Sequence, residues 1–235
     1  MITSHDDNIP RPANSAPFQR KIRSFVKREG RMSKRQKAAL DSLFSDYGLT
    51  LAQRPLDYPS LFGRRAPTIV EIGFGMGDTL AQMAQQNPDT NYIGIEVHRP
   101  GVGSLLATLH EQHINNVRVF CHDATEVLEN AIADRSLDGI HIFFPDPWPK
   151  KRHHKRRLIQ DAFVNLLAAK LKSGARLHLA TDWENYAHWM EEVMAGHTQF
   201  NRLADDTSHS RPITKFEARG RKLGHGVWDL LYERN

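Results

Sequence analysis

Between residues 68 and 78 the chain reads Thr-Ile-Val-Glu-Ile-Gly-Phe-Gly-Met-Gly-Asp, and this stretch restricts the fold more than any other. A short β-branched run that stops at glycines predicts a buried strand ending in a tight loop. Gly73, Gly75 and Gly77 fall at alternate positions, and Asp78 then offers a helix N-cap before good helix formers through Gln86. Strand, glycine loop and helix, in that order, are how doubly wound α/β sheets build a nucleotide site.

Spacing and charge narrow the choice of nucleotide. The dinucleotide fingerprint needs its third glycine three residues after the second. That position holds Asp78, and the third glycine comes one residue early. A pyrophosphate on loop amides would also be repelled by carboxylates at Glu71 and Asp78. S-adenosylmethionine carries a sulfonium and an ammonium instead, and acidic neighbours suit it.

A chain of 235 residues fits one domain with an appendage. No apolar run approaches the roughly 18 residues of a membrane helix, and the polar start is unlike a signal peptide. A single cysteine, Cys121, excludes an internal disulfide and fits a reducing compartment, so a cytoplasmic protein is expected. The 13 histidines lack metal-ligand spacing, and no metal is expected. Net charge is +5 with the excess in two clusters. Nine Lys or Arg stand against Glu29 between Arg20 and Lys37, and residues 150–157 read Lys-Lys-Arg-His-His-Lys-Arg-Arg. Two such runs beside a nucleotide loop point to a polyanion, most simply a nucleic acid; an isolated run would equally be a solvated face.

In chain order, residues 1–17 read as a disordered tail, 18–60 as a basic arm and helix docked on the main domain or on a partner, and 61–235 as the main domain. Asn91 to Glu96 is a second strand whose terminal acid falls where a ribose-binding carboxylate sits in βαβ sites, or is merely solvated. A helix over 102–113 precedes the strand Val117 to Asp123. Asp123 could accept from an adenine amino group beside a neighbouring backbone amide, or could cap the following helix. The strand Leu137 to Phe144 runs into Pro145-Asp-Pro-Trp-Pro-Lys150. Two prolines hold Asp146 in place at a strand's carboxyl end, and Trp148 offers a flat surface for a base. A helix over 158–171 ending at Gly174, a strand over 176–180, Asp182 at its end, a helix from Glu184 to Met194 and a closing strand over 226–232 complete the pattern.

The proline-tryptophan segment with its basic tail, the arm motif Ile22 to Arg31 and Thr214-Lys-Phe-Glu217 together closely resemble the bacterial tRNA (guanine-N(7)-)-methyltransferases. The resemblance runs from about residue 22 to the C-terminus. It implies a Rossmann-like class I methyltransferase fold: an α/β protein with a seven-stranded, mostly parallel sheet, one antiparallel strand and helices on both faces. It further implies that Glu71, Gly73, Glu96, Asp123, Ala124 and Asp146 form the S-adenosylmethionine site, and that Lys150, Asp182, Thr214, Lys215, Phe216 and Glu217 contact the substrate. Arg152, His153, His154, Lys155, Arg156 and Arg157 are implied to grip the RNA. The implied partner is tRNA, methylated on a guanine of its variable loop by a monomer or homodimer that needs neither metal nor membrane.

The residues agree with such chemistry. Ring nitrogen 7 of guanine has a free lone pair, so the enzyme needs in-line placement and charge management rather than a base. A fixed carboxylate such as Asp146 would stabilise positive charge arriving on the ring. Asp182 or Glu217 could accept from the guanine ring NH and exocyclic amine, with Lys150 on its oxygen. Two rivals are a nucleic-acid-binding protein on an inactive cofactor fold and a nicotinamide-dependent oxidoreductase. The acids at successive strand ends weigh against the first, and Glu71 with the early glycine weighs against the second.

Overall fold

A computed structural model of the chain describes residues 24–25, 30–204, 211–213, 217 and 226–235. The N-terminal tail, most of the basic arm and residues 214–216 lie outside the described residues. The elements are α1 (Lys34–Tyr47), β1 (Gly48–Leu49), α2 (Tyr58–Phe62), β2 (Thr68–Ile72), α3 (Asp78–Gln86), β3 (Asn91–Ile95), α4 (Arg99–Glu111), β4 (Val117–Phe120), α5 (Ala124–Ala131) and β5 (Leu137–Phe143). A 3-10 helix (Lys151–Arg156) follows, then α6 (Asp161–Lys170), β6 (Leu171–Thr181), α7 (Glu184–Ala195), β7 (Phe200–Arg202) and β8 (Trp228–Arg234).

The strands make one sheet in the order β1-β4-β3-β2-β5-β6-β8-β7. The pairs among β1 to β6 are parallel, and β8 runs antiparallel to both β6 and β7. The expected seven-stranded sheet is thus present, with an eighth, two-residue strand added at one edge by β1. All five residues of β3 are buried, as the central strand of a sheet covered on both faces must be. One apolar cluster joins the sheet to α5, α6 and α7, and a second joins its other face to α1, α3 and α4.

The helix that follows the basic arm docks on the main domain. Ser33 starts α1 through a capping box, its hydroxyl accepting from the Gln36 amide (3.2 Å) while Gln36 accepts from the Ser33 amide (2.8 Å). Gly103 of α4 lies against the Gln36 carbonyl so closely that a Cβ there would collide with it. A side chain at 103 would therefore push α1 off the domain.

Other boundaries differ from the sequence reading for local reasons. Gly77, not Asp78, is the N-cap of α3, and Asp78 is the first helical residue. The helix expected to reach Gly174 stops at Lys170, because buried Leu171 pairs with Leu137 and draws the chain into β6. Gly174, with φ +77°, lies instead where the β5–β6 register shifts. The linker before β2 contains the five-residue α2. β7 is three residues long, too short for periodicity to reveal.

From β2 the chain steps outward through β3 and β4, then returns to β5 on the other side of β2. That reversal opens a crevice at the carboxyl ends of β2 and β5, where open α/β sheets bind ligands.

Candidate active site

Beyond Ile72 the chain makes three left-handed glycines, with φ of +78°, +58° and +84° at Gly73, Gly75 and Gly77. Nothing lies within 4 Å of where a Cβ on Gly73 would sit, so this turn faces open space. A cavity of about 660 Å³ occupies that space. Glu71, Asp78, Glu96, Asp123 and Asp146 line it, and among the described residues no Lys or Arg does. In a protein of net charge +5 that separation of charge is the main fact about the site. The cavity suits a cation and would repel a pyrophosphate.

The acids are held in different ways. Glu71 lies on β2 beneath the loop, 3% exposed, and its Oε2 has no hydrogen-bond partner among the described residues. Burial, reinforced by the neighbouring Glu96 charge and partly offset by Arg211, pushes its pKa up to about 8. In register beside it, His141 of β5 is half-buried with its Nδ1 shut off from solvent, and loss of solvation and the neighbouring His178 push it down to about 3, so it stays neutral. Glu96 accepts from three backbone amides, Gly75 (2.9 Å), Val97 (2.7 Å) and His98 (2.9 Å). It therefore fastens the glycine loop to the end of β3, with one of its roughly four acceptor sites left over. Asp123 caps α5, accepting from Thr125 (2.9 Å) and Glu126 (3.3 Å) through Oδ1, while Ala124 opens the helix at the cavity wall. Of the two readings open for Asp123, the cap is realised in the free protein, and the residue still faces the cavity.

Asp146 follows β5 on an irregular loop and is exposed at the cavity mouth. Phe144 and Trp148, on either side of the Pro-Asp-Pro unit, adopt left-handed φ of +51° and +45°. Such values are uncommon for bulky residues and cost energy that neighbours must supply. The Trp148 indole donates to the Ser24 carbonyl (3.1 Å), bringing Ser24 and Phe25 of the basic arm to the cavity. One face of Trp148 is taken by the Arg156 guanidinium at 4.3 Å, and His153 meets its ring edge-on at 5.8 Å. The surface expected to be free for a base is thus partly occupied.

Of the residues expected to contact substrate, Lys150 is exposed directly after cavity-lining Pro149 and Asp182 is half-buried just past β6; neither lines the cavity. Thr214, Lys215 and Phe216 lie outside the described residues. Glu217 is 2% exposed and ion-paired to Arg211, so reaching a base would require it first to leave that partner. Arg211 had no sequence signal. Its guanidinium pairs in two places with Asp229 of β8 (2.8 and 3.0 Å) and lies over the rings of Phe143 (5.4 Å) and Phe144 (4.9 Å). It ties Glu217 to the strand end that carries the Asp146 loop.

The second basic run forms the 3-10 helix beside the mouth. Lys151, Arg152 and Lys155 are exposed, and His153, His154 and Arg156 are half-buried. Arg157 is the correction: it is 2% exposed and turned inward, where it cannot meet an RNA phosphate.

A family model described as a putative methyltransferase matches residues 65–230. The chain is 54% identical over 220 residues to the tRNA (guanine-N(7)-)-methyltransferase of Yersinia enterocolitica. It is 55% identical over 224 residues to that of Methylobacillus flagellatus, and each match covers 92% of both chains. The chain belongs to the tRNA (guanine-N(7)-)-methyltransferase family. Among solved structures the antibiotic-resistance methyltransferase Kmr aligns with a TM-score of 0.53 at 12% identity, covering 79% of this chain and 94% of that one. The aminoglycoside resistance methyltransferase NpmB1 gives 0.52 at 11%, covering 80% and 95%. At such identities the likeness is one of fold, here the class I methyltransferase fold.

The cofactor of this methyltransferase is S-adenosyl-L-methionine, and the residues present fit it. Among the described residues, a buried Glu71 carboxyl with one oxygen unpartnered faces a cavity whose other charged lining residues are acids, and the open turn at Gly73 lets a ligand approach the backbone.

Proposed function

We propose that the protein transfers the methyl group of S-adenosyl-L-methionine to ring nitrogen 7 of a guanine in the variable loop of tRNA, in the cytoplasm. The observation that carries this reading is the juxtaposition of an acid-lined cavity with an exposed basic helix across one loop, Pro145 to Lys150. Cation and polyanion would meet where that loop stands between them. Electrophilic methyl on a sulfonium is what the cofactor supplies when bound.

The chain's own residues account for the remainder. Glu71 would accept the cofactor's cationic end, ionising as it does so, and Glu96 would offer its remaining acceptor site to a ribose hydroxyl. The free oxygen of Asp123, with the amide of Ala124, would serve the base of the cofactor. Asp146 has no proton to remove, because the attacking nitrogen already carries a lone pair. Its role is to place a fixed negative charge beside a ring that becomes cationic. Lys150, Asp182 and the segment Thr214-Lys-Phe-Glu217 would contact the guanine, Glu217 only after leaving Arg211. Lys151, Arg152 and Lys155 would meet phosphates, giving affinity and orientation without sequence readout. A nucleic-acid-binding protein alone would gain nothing from the acidic cavity, and the nicotinamide reading fails on the same charge.

The test is a labelled-methyl assay on bulk tRNA, followed by digestion to nucleosides. Label in 7-methylguanosine is the expected result. Label in any other nucleoside, or none, overturns the reading.

A further inference from the structure

We infer that Arg157 is a positioning residue: its buried guanidinium clamps the Pro147 carbonyl to α7 and so fixes where Asp146 stands. This rests on the reading that Asp146 supplies the charge for methyl transfer. Arg157 ends a run whose other members are exposed or half-buried, yet it is the largest fully buried side chain among the described residues. Its guanidinium lies over the rings of Tyr186 (4.9 Å) and Trp189 (5.3 Å) of α7. Nε donates to the Pro147 carbonyl (3.0 Å), and Nη2 donates to Asn185 Oδ1 (2.6 Å).

Both of those acceptors are neutral. A buried cation on neutral partners is costly compared with an apolar side chain of the same size. What an apolar side chain cannot do is donate to a carbonyl from a flat aromatic cleft, and Arg is the side chain suited to that.

The loop it grips needs an external hold. Among the described residues Asp146 makes no hydrogen bond, and the backbone on either side of it sets where its carboxylate stands. Pro145 and Pro147 fix their own φ, which leaves Phe144 and Trp148 as the pivots, both in left-handed conformations they would leave if released. The Trp148 pivot is held by Ser24 and Arg156. Arg157 holds the residue directly after Asp146 and joins it to a helix packed in the core.

The test compares Arg157→Ala, Arg157→Lys, Asp146→Asn and the Arg157→Ala/Asp146→Asn double variant in tRNA methylation. With the loop released, kcat of Arg157→Ala should fall on the order of 10²-fold, as misplacement by about 1 Å does. The KM for tRNA and the salt dependence of tRNA binding should stay as in the wild type. Lys has no planar fork to stack and donate at once, so Arg157→Lys should recover little. In the Asp146→Asn background the further loss from Arg157→Ala should shrink to a few-fold, because two residues acting through one group are not additive. An equal loss in both backgrounds would make Arg157 a structural residue and overturn the proposal. Unchanged kcat with a flattened salt dependence would return it to the RNA surface and overturn it too. Full activity in Asp146→Asn sinks the reading of Asp146 itself. A slow Asp146→Asn beside a wild-type Arg157→Ala sinks only the clamp. Should Arg157→Ala fail to fold, Arg157→Lys and Asn185→Ala carry the test: kcat must fall in both at unchanged KM for tRNA, and wild-type kcat in Arg157→Lys overturns the clamp.

Discussion

Glu71→Gln keeps the size of a buried side chain and removes its titration. In the folded protein burial holds the Glu71 proton up to about pH 8, whereas an unfolded chain releases it near 4.5. Between those values the native state binds one more proton than the unfolded state, so wild-type stability falls as pH rises through that window. The slope is about 1.4 kcal/mol per pH unit, which accumulates to about 3 kcal/mol between pH 4.5 and pH 7. Gln at position 71 has no such slope. Urea unfolding of both proteins from pH 5 to 9 should therefore show the variant gaining on the wild type up to about pH 8 and no further. On the proposed role of Glu71, the same proton would be lost when the cofactor's cationic end binds beside it. Calorimetry with S-adenosylhomocysteine, which keeps the ammonium, should show proton release approaching one per site below pH 8 in buffers of different ionisation enthalpy. The variant should release none from this position and bind more weakly. A pH-independent stability difference, together with no proton release from the wild type, would refute the assignment of Glu71 as a protonated, cofactor-facing acid.

Three other perturbations separate the parts of the site. Asp146→Ala should lower kcat by at least about 10²-fold, the scale of losing one electrostatic stabiliser, with S-adenosylhomocysteine affinity kept; full turnover would remove the central residue. Gly77→Ala should destabilise by about 2 to 5 kcal/mol, since the residue sits at φ +84° and its Cβ would lie 2.6 Å from the Cβ of buried Leu105. A urea midpoint within error of wild type would contradict that. Arg152→Ala combined with Lys155→Ala should reduce the slope of log affinity for tRNA against log salt by about one per lost phosphate contact, leaving kcat at saturating tRNA unchanged. An unaltered slope would make the exposed part of the run a solvated face.

What the sequence determined by itself is local. The apolar run Thr68 to Ile72 stopping at three glycines already read as a buried strand turning into a helix, and the left-handed φ at Gly73 and Gly77 is what glycine there permits. Pro-Asp-Pro at 145–147 marked a backbone restricted on both sides of Asp146, since proline limits φ wherever it occurs; what anchors that unit at its ends did not show in the sequence. The acids at the ends of β2, β3 and β4 could be read as convergent once the strands were taken as parallel neighbours. Side-chain destinations were decided only by tertiary packing. Arg156 and Arg157 are adjacent and chemically identical, yet one lies on Trp148 at the site and the other is sealed against α7, a helix that begins 27 residues later. Arg211 lies on Phe143 and Phe144, and Glu217 is occupied by it rather than open to a substrate. The protonation of Glu71 likewise depends on how completely the sheet and loop exclude water from it. Backbone constraints act within a few residues and are written in the residue types. Burial and long-range pairing depend on which elements meet, and a linear pattern holds that information only after the chain has folded.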